Sequence, residues 1–172
     1  MKPGYIQIYT GDGKGKTTAA IGLAIRAAGA GYESFIGQFM KGRHYSELDA
    51  VRSMDSIEIE QFGDEDCITR DQVAEHHVRL AENGLRRVYQ VFKEGRHSLV
   101  VLDEIFVAVW FSLLTEESVM DLVLKKPGRV ELVMTGRKAG RQFIDYADLV
   151  TEMKEIKHYY TQGVAARKGI EM

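Results

Sequence analysis

The sequence predicts an α/β fold, a mainly parallel sheet with helices on both faces, and three of its features carry that prediction. Short runs rich in β-branched and aromatic residues alternate with longer stretches of helical periodicity. Residues 98–102 form a continuous apolar run, as a strand covered on both faces at a sheet centre must. A glycine-rich segment, residues 11–15, separates the first strand-like run from the first helical stretch.

The elements follow in order. Residues 5–10 are β-branched and aromatic and stop at glycine, which makes them the first strand. Residues 15–28, mostly alanine, leucine, isoleucine and threonine, make the first helix, with Gly29 and Gly31 where a helix C-terminus favours a left-handed residue. Residues 33–40 read as a second strand, 46–54 as a short helix and 57–62 as a third strand. Residues 71–94 are a long amphipathic helix in which Val73, Val78, Leu80, Leu85, Val88 and Val91 largely share one face, and Gly95 ends it. After the strand at 98–102, helical patterns occupy 104–114 and 116–124, the second with Thr115 as N-cap. Pro127-Gly128 marks a turn, followed by a strand at 130–135, a short helix at 140–146 and a last strand at 149–153.

At 172 residues the chain fits one domain, 1–172, without repeat or linker. A formal net charge of -2 offers no broad positive field, which argues against a nucleic-acid partner. Cys67 is the only cysteine, so no intramolecular disulfide forms. No secretory pattern opens the sequence and no apolar run reaches the roughly 18–20 residues that span a bilayer, so the reading is a cytoplasmic protein with no membrane partner.

Gly11, Asp12, Gly13, Lys14, Gly15, Lys16, Thr17 and Thr18 lie between strand and helix, where a phosphate loop must lie. Glycines let successive N–H groups turn inward around phosphate oxygens, and the helix N-terminus adds its own free N–H groups and dipole. Lys16 supplies charge to the phosphates, Thr17 a hydroxyl for Mg²⁺, and Lys14 is a further phosphate candidate. The fold class is thus P-loop NTPase-like, of the RecA-like kind. The usual pattern has glycine five residues before Gly15; Thr10 stands there, so the loop turns one residue later or is held differently.

Leu99 to Glu104 has the form of a Walker B strand, with Asp103 and Glu104 at the edge where ligands collect in open α/β sheets. Asp103 is a ligand for Mg²⁺, directly or through water. Glu104 is a second metal partner or orients a reacting group.

These motifs, with Thr135-Gly136-Arg137, the run 147–153, Lys157-His158 and the run 163–171, resemble the ATP:corrinoid adenosyltransferases almost end to end. The resemblance implies that ATP and a reduced corrinoid are the substrates: the 5′-deoxyadenosyl group passes to Co(I) and triphosphate leaves. It implies catalytic roles for Lys16, Glu104 and Arg137, contact of Arg26 with the nucleoside end, a homodimer, and a flavoprotein as the source of electrons. The stretch 62–69, acidic and without tryptophan, departs from the Phe-Thr-Trp-like segment of better-known members. Lys41 to His44 read as a charged, solvated loop, with a basic lip over phosphates as the alternative. His158 reads as a packing or hydrogen-bonding residue more than a cobalt ligand, and His76 and His77 as surface residues of the long helix.

Overall fold

The computed structural model describes residues 3–171. In chain order the elements are β1 (Ile6–Thr10), α1 (Lys16–Gly29), β2 (Ser34–Phe39), α2 (Ser46–Arg52), β3 (Ile57–Phe62), α3 (Glu75–Glu94), β4 (Leu99–Asp103), α4 (Ile105–Trp110), α5 (Glu116–Leu124), β5 (Glu131–Thr135), α6 (Arg141–Tyr146) and β6 (Leu149–Glu152). The strands form one sheet in the order β3-β2-β4-β5-β1-β6, and every neighbouring pair is parallel. All six strands therefore end at the same edge, which gathers the loops after β1, β2, β4 and β5 on one side of the molecule.

Helices cover both faces, and the alternation of strand side chains divides the core in two. Val100 and Leu102 of β4 join α3, α4 and α5 on one face; Leu99 and Val101 join Ala20 and Ala24 of α1 and Leu48 and Val51 of α2 on the other. β4 is thus buried along its whole length, which is why its sequence is apolar rather than alternating. Each such side chain is worth about 1.5–3 kcal/mol on burial, so Asp103 is carried at the end of a firmly packed strand.

Two helices are shorter than their periodicity predicts. The expected helix at 71–94 begins at Glu75, after a separate 3-10 turn at Arg70–Gln72. Thr69 N–H donates to Gln72 Oε1 at 2.9 Å and Ala74 N–H donates to His77 Nδ1 at 2.9 Å, so local side-chain caps stop one turn and start the next. The expected helix at 104–114 ends at Trp110, because Ser112 turns left-handed (φ 59°). Leu113 N–H then reaches Ala108 O at 2.9 Å and Ser112 N–H reaches Val109 O at 2.8 Å, a Schellman ending with serine where glycine usually marks the stop. Thr115 caps α5 as expected, accepting from Ser118 N–H at 3.1 Å, and Gly95 closes α3 in the left-handed conformation. Among the described residues no helix is long and apolar enough to cross a membrane.

Candidate nucleotide and metal site

Thr10 occupies the place of the expected glycine because it is still part of β1, in register with Glu152 of β6. The pairing continues one step into the loop: Met153 N–H donates to Thr10 O at 2.8 Å, and Gly13 N–H donates to Met153 O at 2.7 Å. The first left-handed residue is Gly11 (φ 97°), so the loop does turn one residue later. A Cβ on Gly11 or Gly13 would stand 2.5 or 2.7 Å from Met153 O. These glycines serve the close approach of β6 as well as the turn. Gly15 (φ 119°) then opens α1, whose first residue is Lys16.

The loop faces a cleft of about 820 Å³, lined by residues 12–18 together with Lys41, Tyr45, Glu104, Arg137 and His158 among others. Lys16 is buried, and its ammonium donates to Gly11 O and Gly13 O at 2.7 Å each. Burial lowers its pKa, Glu104 opposes that effect, and Arg137 adds to it. An anion arriving in the cleft would meet an ammonium already desolvated and already bound to the loop.

Asp103 is the hub of the site. Its Oδ1 accepts from the hydroxyls of Thr17 at 2.9 Å and Thr135 at 2.7 Å, while Oδ2 accepts from Lys41 Nζ at 2.9 Å and Gln38 Nε2 at 3.3 Å. Thr135 Oγ1 in turn accepts Glu104 N–H at 2.9 Å. Glu104 caps α4 in a left-handed conformation (φ 59°), a strained position for a non-glycine residue of the kind that collects at functional sites. Burial and then the Asp103 charge push the Glu104 carboxyl up from its ordinary range. Thr17, Asp103 and Glu104 together present hard oxygen donors, the set that suits Mg²⁺.

Of the remaining predicted residues, Asp12, Thr18 and Arg137 line the cleft. Arg137 is exposed and, among the described residues, makes no ion pair. Lys14 also lines the cleft, but its ammonium is held by the C-terminal segment: Glu171 Oε1 and Ile170 O at 2.9 Å, Tyr159 OH at 3.3 Å. Glu171 accepts from Tyr159 OH and from Arg167 N–H as well, and the Arg167 guanidinium leads in holding its carboxyl far below the usual range. Arg26 is exposed on α1 and is not among the residues that line the cleft.

Lys41 corrects the sequence reading. Its side chain is 15% exposed and ion-paired with Asp103, so it belongs to the site rather than to a solvated loop. Burial works against its charge, but Asp103 outweighs that and raises its pKa. Gln38 and Thr135 were also missed as functional residues. The available signal was position, since all three stand at or just past the C-terminal ends of buried parallel strands.

Asp64, His76 and His77 form a second cluster, with ligand-type atoms within 4.8 Å of one another. His77, expected at the surface, is buried. Its Nδ1 accepts Ala74 N–H, which leaves the ring proton on Nε2, 3.6 Å from Asp64 Oδ2. With His76 Nε2 at 2.9 Å from the same oxygen, the cluster braces the acidic 63–69 stretch against α3, and His77 has no lone pair to offer a metal in this tautomer.

A phosphate loop between β1 and α1, an acidic hub at the end of β4 and their convergence on one cleft define a P-loop nucleotide-binding protein of the α/β class. A profile of the family described as "ATP:corrinoid adenosyltransferase BtuR/CobO/CobP" matches residues 2–172. The chain belongs to that family. It is 34% identical to a corrinoid adenosyltransferase of Sinorhizobium sp., over 98% of this chain and 80% of that one. It is 32% identical to the corrinoid adenosyltransferase CobA of Salmonella typhimurium, over 98% and 85%, and 31% identical to the Pseudomonas aeruginosa corrinoid adenosyltransferase, over 98% and 83%.

Proposed function

We propose that the cleft binds MgATP and transfers its 5′-deoxyadenosyl group to the Co(I) centre of a reduced corrinoid in adenosylcobalamin biosynthesis. Co(I) is the nucleophile: a cobalt–carbon bond forms at C5′, the C5′–oxygen bond breaks, and its electron pair leaves with the triphosphate. No side chain needs to act as nucleophile. The work of the protein is to position the reactants and stabilise the leaving charge. The loop N–H groups and Lys16 take the polyphosphate, Arg137 clamps it from the rim, and Thr17 and Asp103 would hold Mg²⁺ with Glu104 beside them. Bound there, Mg²⁺ would supply countercharge to the triphosphate.

The observation that carries the reading is the 2.9 Å contact between Thr17 Oγ1 and Asp103 Oδ1, which joins the loop and the strand end at one point. A second support is the direct seating of the phosphate loop on Met153, because that joins two of the motifs shared with the adenosyltransferases. A homodimer and a flavoprotein electron donor complete the reading by analogy with the family, and sedimentation of the purified protein tests the first. The decisive experiment incubates the protein with MgATP and a chemically reduced corrinoid, follows the cobalt–carbon product by absorption and identifies the phosphate product. Triphosphate is expected; ADP and orthophosphate with no alkylated corrinoid would sink the reading.

A further inference from the structure

Four donors converge on the Asp103 carboxylate, and one of them differs in kind. The two threonine hydroxyls can stay beside a metal ion, since each keeps a lone pair of its own, and the Gln38 amide is a long neutral contact. Lys41 offers neither option: an ammonium has no lone pair, and its charge repels any cation placed on the oxygen it holds at 2.9 Å. Lys41 is also set to stay where it is. Met40 turns left-handed (φ 62°) directly before it, the Tyr45 ring lies 5.2 Å from Nζ, and Glu47 Oε1 lies 3.8 Å away. Lys41 nonetheless lines the cleft that would receive a polyphosphate.

We infer that Lys41 is the resident counter-cation of Asp103: it keeps bare divalent ions off the carboxylate and releases it only when a polyphosphate takes the ammonium over. The inference rests on the reading of Thr17 and Asp103 as the cation site. It makes Lys41 a positioning residue that orders loading, so that metal and nucleotide arrive as one complex. A second consequence is that the ammonium, once on the polyphosphate, adds to its hold from the segment that follows β2.

Mn²⁺, read by the electron paramagnetic resonance signal of the free aqueous ion, tests this without turnover. Wild-type protein without nucleotide is expected to leave the signal almost unchanged, whereas with ATP it should lower the signal well beyond the loss that the same ATP, itself a Mn²⁺ chelator, causes without protein. Lys41→Met is expected to take up Mn²⁺ without nucleotide at least about tenfold more tightly than wild type. That uptake should vanish when Asp103→Asn is added, which separates it from ions held by carboxylates elsewhere on the protein. The same variant should bind MnATP about tenfold more weakly, while Lys41→Arg should still exclude the bare ion.

Wild-type protein that bound Mn²⁺ at Asp103 equally well with and without ATP would overturn the inference, even if Lys41→Met failed to fold. A folded Lys41→Met with unchanged Mn²⁺ uptake would overturn it too. Failure of the underlying site looks different: MnATP would bind wild type and Asp103→Asn alike.

Discussion

Thr17 and Asp103, 86 residues apart in sequence, meet through a 2.9 Å hydrogen bond from hydroxyl to carboxylate. The bond locks the first turn of α1 to the end of β4 and fixes the distance between phosphate loop and acidic hub. Every functional expectation for this protein depends on that spacing.

Lys16→Ala should weaken ATP binding by about a hundredfold, or roughly 2.7 kcal/mol, the upper range for a hydrogen bond to a charged group. Calorimetric titration with MgATP reads it. Affinity within a factor of two of wild type would mean that the ammonium now on Gly11 O and Gly13 O does not serve the nucleotide.

Thr135→Val tests the buried link between Asp103 and Glu104. The substitution keeps the shape but removes the acceptor of Glu104 N–H and a donor to Asp103. A cost of about 1–3 kcal/mol in unfolding free energy is expected from the unsatisfied N–H. Urea denaturation measures it, and an unchanged midpoint would refute the link.

Glu104 carries a pH dependence whose sign is fixed by its raised pKa. In the folded protein the carboxyl binds its proton more tightly than its ordinary value of 4.5. Its contribution to stability is therefore full below 4.5 and lost as pH rises through the folded-state value. Glu104→Gln should melt at a higher temperature than wild type near neutral pH, and the gap should close toward about pH 4. A gap that is constant with pH would contradict this.

The two glycines Gly13 and Gly22 should respond in opposite directions to alanine. At Gly13 the new Cβ would lie 2.7 Å from Met153 O and 2.9 Å from the Lys154 carbonyl carbon, both backbone atoms that do not yield easily. A loss of about 1–3 kcal/mol and of nucleotide binding is expected. At Gly22, within α1, nothing lies within 4 Å, and the relief of backbone entropy should stabilise by about 0.5–1 kcal/mol. Thermal melts of the two variants decide the matter.

Glu171→Ala should leave the melting temperature almost unchanged, since exposed ion pairs contribute little. The segment 157–171 should nevertheless exchange its amide hydrogens faster, having lost the carboxylate that gathers Lys14, Tyr159 and Arg167. Equal exchange in both proteins would show that the segment is held by something else.

The sheet, its helices on both faces and the loop position were legible because they rest on local patterns: apolar runs, 3.6-residue periodicity, glycine at turns. What escaped depended on long-range pairing. The reason for Thr10 lies in its register with β6, far along the chain, and the family's loop variant reads as one extra strand residue. Lys41 looked solvated because its neighbours in sequence are Gly42, Arg43 and His44, whereas its neighbour in space is Asp103. The helix stop at Ser112 was hidden because serine there does what glycine usually signals.

The position of Glu171 over the phosphate loop has a practical corollary for anyone handling this protein. A bulky label carried on residue 171 would sit beside Lys14, at the mouth of the cleft. Residues 3–5 lead into β1 from the opposite end of the strands. Labels carried on residues 3–5 would stand clear of arriving nucleotide, so the two placements should give visibly different binding curves for the same polypeptide.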